Sequence, residues 1–154
     1  MIWIAVDAMG GDDAPGPVID GALAAARHFD LGVVLVGPTA RLCDEVAARG
    51  GIEPERLRLV DADGAVEMGE SPSHVLRAKR NASIRVAADV VARGEAAALF
   101  SAGHTGATVL AAHSAFGMVD GVERPALAAT VPTREHPAIL LDVGASVEIG
   151  RAHV

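Results

Sequence analysis

The sequence predicts an α/β fold, a mostly parallel sheet with helices on both faces. Three observations lead there. Short apolar runs recur along the chain, helical patterns fill most of the gaps between them, and two of the runs end in glycine-rich turns that open a helix. The 154 residues, 51% hydrophobic, suffice for one domain with a core of its own. Mean hydropathy is +0.34, which places the chain outside the disordered class.

Taken in order, the strand-like runs are Ile2–Val6, Val33–Gly37, Leu57–Val60, Ala97–Phe100, Ala126–Val131 and Ile139–Val143. Helical patterns cover Pro17–Phe29, Thr39–Arg49, Pro72–Arg93 and Thr105–Phe116. Gly37-Pro38 ends the second strand, and Thr39 is placed to cap the helix that follows. Gly50-Gly51 ends that helix, as glycines past a last turn do. The long run Pro72–Arg93 has a break at Asn81-Ala82-Ser83. Aromatics are only 3% of the chain while Ala and Gly abound, so helices are expected to pack closely on the sheet.

Composition excludes several classes of function. No apolar run approaches the ~20 residues of a membrane span, and no secretory signal is visible. A lone Cys43 excludes an intrachain disulfide and a Cys-based zinc cluster, and it fits a reducing cytosol. It lies in a helical pattern and reads as a packing residue. The net charge of −7, from 20 acids and 13 bases, argues against general nucleic-acid affinity. His28, His74, His113 and His136 are scattered, and no metalloprotease spacing occurs. The turn Met9-Gly10-Gly11 lacks the spacing of a dinucleotide fingerprint.

The stretch with the clearest chemistry is Ser101-Ala102-Gly103-His104-Thr105-Gly106-Ala107, between an apolar run and a small-residue helix. Such a turn aims backbone N–H groups at a guest, and a phosphate suits it; as a plain capped turn it would do no chemistry. Ser101, His104 and Thr105 add side-chain donors. A second glycine turn, Asp7 to Pro15, follows the first strand. Ligands of open α/β sheets gather at the carboxyl ends of strands, so the two turns are expected to face one crevice.

Several blocks together resemble one family. They are Val6-Asp7-Ala8-Met9-Gly10-Gly11-Asp12, Val66-Glu67-Met68, Arg77-Ala78-Lys79-Arg80, the 101–107 turn, Glu123 to Ala128, and Leu140-Leu141-Asp142-Val143-Gly144-Ala145. In this order and spacing they resemble the PlsX family of phosphate acyltransferases over residues 1–147. The family usually has Asn at positions 104 and 146, where this chain has His104 and Ser146. The resemblance implies an isopropylmalate-dehydrogenase-like fold, here truncated. It implies that inorganic phosphate attacks the thioester of an acyl-acyl carrier protein, giving acyl phosphate for phospholipid synthesis. No cofactor and no metal are implied. Residues 1–148 would be the N-terminal part of the acyltransferase domain.

Phosphate is already a nucleophile, so the protein needs only to hold it near the carbonyl and stabilise the oxyanion. Gly10, Gly11, Ser101, Gly103, Thr105 and Gly106 are the candidate phosphate-binding residues, and His104, Asp7 and Asp142 the candidate catalytic ones. His104 can donate a hydrogen bond or shuttle a proton. Asp7 and Asp12 would repel an anion. They are expected to hold the loop through backbone N–H groups, or to pair with a base such as Arg124. A magnesium ion on Asp7, Asp12, Asp13 and Asp142 is the weaker alternative. Asp142 reads equally as a turn-capping carboxylate. Met9 is a candidate for the acyl path, and Met68 and Met118 are core residues. An acidic carrier needs a local basic patch on this acidic chain. Arg77, Lys79 and Arg80 are the candidates, with Arg85 beside them, and a solvated helix face is the alternative.

The implied setting is cytoplasmic and, at full length, a homodimer in peripheral contact with a membrane acyltransferase. The rival readings are a phosphotransacetylase-type enzyme using a coenzyme A thioester and a fragment without activity; an NAD-linked dehydrogenase lacks its motif. Ile149-Gly150-Arg151-Ala152-His153-Val154 is expected to be a non-native tail. Alone, the chain is therefore expected to express with low solubility and to make no acyl phosphate. Replacing 149–154 by a native downstream half should recover both, which solubility and product assays on the two proteins would check.

Overall fold

The computed structural model describes residues 1–67, 70 and 78–143, in two compact units, Met1–Gly117 and Met118–Val154. In the first unit, β1 (Ile2–Asp7) leads to α1 (Gly16–His28), β2 (Leu31–Gly37) to α2 (Thr39–Ala48), and a 3-10 turn (Pro54–Arg56) to β3 (Leu57–Asp61). Then come α3 (Ser83–Ala92), β4 (Ala98–Phe100) and α4 (Thr105–Phe116). The four strands form one parallel sheet in the order β3-β2-β1-β4.

The period-2 geometry of strands explains the two-sided core. Val33 and Leu35 pack with Ile19 and Leu23 of α1 and Leu42 of α2 on one face. Val34 and Val36 pack with Ala87 and Val90 of α3 on the other. A second cluster on the latter side joins Ala88 of α3 to Ala107 and Ala111 of α4. Small residues at these contacts let helices approach closely, as the Ala content predicted.

The helices follow the predicted boundaries with two exceptions. Within the long run over 72–93, the described residues show the helix Ser83–Ala92 after the expected break at Asn81-Ala82-Ser83, and Ala78 before the break is also helical. Residues 71–77 lie outside the described residues. Thr39 does not cap α2 but is its first residue. The cap comes from β3, where Asp61 Oδ1 accepts from the Thr39 N–H at 3.0 Å and the Thr39 hydroxyl at 2.9 Å. Tertiary structure thus supplies what local sequence cannot. At the other end of α2, Arg49 Nε meets Asp20 of α1 at 2.6 Å and its guanidinium also pairs with Glu45.

In the second unit, β5 (Ala128–Val131) and β6 (Ala138–Leu141) form an antiparallel pair. Both runs were expected as strands of a mostly parallel sheet, and they instead pair antiparallel with each other in a sheet of their own. Asp142 follows with φ +61, the left-handed region that Asp tolerates better than most residues. Its N–H donates to the Leu127 carbonyl at 2.6 Å, in line with a turn-closing role. Residues 144–154, the expected tail included, lie outside the described residues. Among the described residues no helix is long and apolar enough to cross a membrane.

The Thr39 hydrogen bonds hold the Asp61 carboxyl below its ordinary range, the backbone N–H contributing most. A carboxylate with a lowered folded value adds stability above the unfolded value near pH 4 and loses it as pH falls through the folded value. Asp61→Ala should therefore lower Tm at pH 7, and the difference from wild type should shrink as pH falls through the lowered folded value of the carboxyl. Thermal melts of both proteins from pH 7 to pH 2.5 check this.

Candidate functional site

The strand order places the site. From β1 the chain moves to β2 and β3 on one side, with α1 and α2 on one face. It then returns to β4 on the other side of β1, with α3 and α4 on the opposite face. The order reverses between β1 and β4, and the carboxyl ends of those strands are where open α/β sheets hold ligands. Both glycine turns lie there, as expected.

The turns are locked to each other. Asp7 ends β1 and is only 2% exposed. Its Oδ2 accepts the Ser101 hydroxyl at 2.7 Å, and its Oδ1 accepts the Met9 N–H at 3.3 Å. Ser101 Oγ in turn accepts the Gly103 N–H at 3.1 Å. Gly10 fits into this junction because it has no side chain. A Cβ there would lie 2.5 Å from Asp7 Oδ2, 2.8 Å from Ser101 Oγ and 2.9 Å from the Gly103 nitrogen. A Cβ on Gly103 would lie 3.0 Å from the Gly10 Cα. Each turn is therefore glycine because the other turn occupies the space.

These contacts give Asp7 the first of its two expected roles, that of holding the loops. They also engage Ser101. Its hydroxyl donates to Asp7 and its oxygen accepts the Gly103 N–H, so in this structure it joins the two turns. Asp12 and Asp13 are exposed on the first turn. Met9 packs over Gly37 and Leu42 at the end of β2, and so serves packing.

At the start of α4, His104 is the N-cap, with φ −65 and ψ 111. Its Nδ1 accepts the Gly106 N–H at 3.1 Å and the Ala107 N–H at 3.4 Å. An acceptor nitrogen carries no proton, so the neutral ring bears its proton on Nε2 and is a donor there. The same bonds occupy amides that were expected to face an anion. With Gly103 also engaged, the amides of His104 and Thr105 at the start of α4 make no hydrogen bond among the described residues. Asn is the favoured N-cap and carries an acceptor and a donor on one group, which explains how His can stand where the resembled family has Asn.

Asp7, Gly10, Ser101, Gly103, His104 and Ala107 enclose a void of only about 10 Å³. That is room for a water at most. The junction itself has no room for an anion, and His104 and the exposed Thr105 form its rim. Gly11, with φ +118, and Gly106 shape the two turns on either side.

Lys79 is bonded to both carboxylate oxygens of Glu70 at 2.9 Å, and Arg80 is exposed. Both lie before α3, and Arg77 lies outside the described residues. Asp142 belongs to the second unit. Among the described residues no cluster of three His, Cys, Asp or Glu side chains is placed to hold a metal ion. The bond from Asp7 to Ser101 was the feature that sequence reasoning missed. The two residues are 94 positions apart, and nothing local to either announces the other.

Comparison with known proteins agrees with this geometry. Residues 2–154 match the family described as fatty acid synthesis protein. The phosphate acyltransferase of Lawsonia intracellularis is 42% identical over 99% of this chain and 44% of its own length. That of Desulfitobacterium hafniense is 44% identical over 100% of this chain and 45% of its own. That of Nitratidesulfovibrio vulgaris is 45% identical over 98% of this chain and 44% of its own. The chain thus spans a little under half the length of these relatives. On these matches, which run over nearly the whole chain, the chain belongs to the PlsX family of phosphate acyltransferases.

Proposed function

We propose that this chain carries part of the active site of an enzyme that moves a fatty acyl group from an acyl-acyl carrier protein to inorganic phosphate. The product is acyl phosphate, destined for phospholipid synthesis. The observation that carries the reading is the donor pair at the start of α4, the His104 Nε2–H and the Thr105 N–H, held on the rim of an interlocked glycine junction. The names of the relatives supply the reaction class, and the setting expected above, a cytoplasmic homodimer at full length, belongs to the same proposal.

Phosphate needs no activation as a nucleophile, so positioning and charge stabilisation carry the catalysis. A phosphate oxygen attacks the thioester carbon and forms the new C–O bond. The carbonyl oxygen becomes an oxyanion, which fixed donors stabilise without reorganising. The tetrahedral adduct collapses, the C–S bond breaks, and the carrier thiolate leaves and takes up a proton. Asp7 stays bonded to Ser101 throughout.

The test is turnover in a protein extended to the full length of the relatives. Phosphate-dependent release of the carrier thiol from hexadecanoyl-carrier protein, with acyl phosphate formed, supports the reading. Turnover of hexadecanoyl-coenzyme A alone points to the phosphotransacetylase-type reaction. No turnover of either discards both.

Two substitutions separate the roles of the turn residues in that protein. His104→Asn preserves an acceptor for the helix and a donor for the guest, so kcat/KM should stay within about tenfold; His104→Ala should lose on the order of 10²-fold or more, as removal of an oxyanion donor does. Steady-state assays of the pair check this, and a large loss in His104→Asn would assign proton transfer to the ring instead. Ser101→Ala leaves the buried Asp7 oxygen without its partner and should cost about 2 kcal/mol of stability. Urea unfolding of wild type, Ser101→Ala, Asp7→Asn and the double variant gives the coupling directly.

A further inference from the structure

Beside the glycine junction lies an apolar groove on the α1 face of the sheet, with a volume of about 450 Å³. Its floor is Ile4 and Val6 of β1 with Phe100 of β4, and its wall is the small-residue stripe of α1 that includes Gly21 and Ala25. Phe100, on β4 at the end of the described sheet, is 53% exposed. A Cβ built on Gly21 meets nothing within 4 Å, so the wall is set back from the floor there. At one end the groove is closed by Ala102, which lies between Ser101 and Gly103 and packs against Gly11. The groove therefore begins at the turn that carries the candidate donors.

Resting on the acyl-transfer reading above, we infer that this groove holds the hydrocarbon chain of the acyl substrate, with the thioester at the Ala102 end. Three features converge on an alkyl chain. The named lining side chains are hydrocarbon, with no charged group among them. The groove runs along the strands from the row of Leu31 and Ile2 to the turn after β4. At about 3.3 Å per residue, that is roughly 20 Å. An acyl chain of one leaflet fills about half of a ~30 Å bilayer core, or about 15 Å, and so fits within it. The match to a family described as fatty acid synthesis protein agrees with such a ligand. Each methylene buried contributes a factor of about four in affinity, so the groove would select for chain length.

The full-length enzyme tests this through Gly21→Leu, which projects into the groove from a helix position where an added Cβ meets nothing within 4 Å. The ratio of KM for hexadecanoyl-carrier protein to KM for butanoyl-carrier protein should rise tenfold or more, with KM for phosphate unmoved. An unchanged ratio in an enzyme whose wild type makes acyl phosphate overturns the groove assignment and leaves the reaction standing. Absence of acyl phosphate from the wild type overturns the reaction itself. A second measurement does not need turnover. In Gly21→Cys with Cys43→Ser, maleimide should label the new thiol in the free enzyme and slow at least tenfold with saturating hexadecanoyl-carrier protein but not with the unacylated carrier. A thiol blocked before any substrate is added means that protein fills the groove, and that result rejects the proposal.

Discussion

The bond between Asp7 and Ser101 is the contact on which the site depends. It crosses from the end of β1 to the end of β4, its Asp7 end buried and its Ser101 end half-buried. Around it two turns close to backbone contact, which only glycine permits at positions 10 and 103. Both carboxylate oxygens of Asp7 accept hydrogen bonds from the protein, one from the Ser101 hydroxyl and one from the Met9 N–H.

That junction determines what the start of α4 can do. A helix N-terminus offers unsatisfied amides, and in isolation all of them would face a guest. Here the Gly103 amide turns inward to Ser101, and the amides of Gly106 and Ala107 are taken by the His104 ring. Capping costs the site two donors but returns one, because a ring that accepts at Nδ1 must carry its proton at Nε2. Capping the helix and presenting a donor are two consequences of one side-chain geometry.

The sheet supports this by placing the two turns side by side. Parallel strands bring all their carboxyl ends to one edge, and the reversal of order beside β1 separates the helices that follow the two turns onto opposite faces. The turns are thus left as neighbours with no helix wedged between them. The same reversal leaves part of the α1 face over β4 open as an apolar groove next to the site.

The sequence by itself determined the elements, because their signals are local. Apolar runs of β-branched residues mark β1 and β2, and the turn into α4 announces the helix Thr105–Phe116, whose bounds match the expectation. The family was legible too, since its blocks are short and ordered along the chain. What only the tertiary structure decided were the long-range pairings. Asp61 rather than Thr39 caps α2 because β3 ends beside that helix. The last two strands pair antiparallel with each other, since period-2 patterning gives a strand but no direction for its neighbour. Ser101 joins the two turns by donating its hydroxyl to a carboxylate 94 residues away. A side chain's hydrogen bonds depend on what folding brings within about 3 Å, and no pattern along the chain encodes that distance.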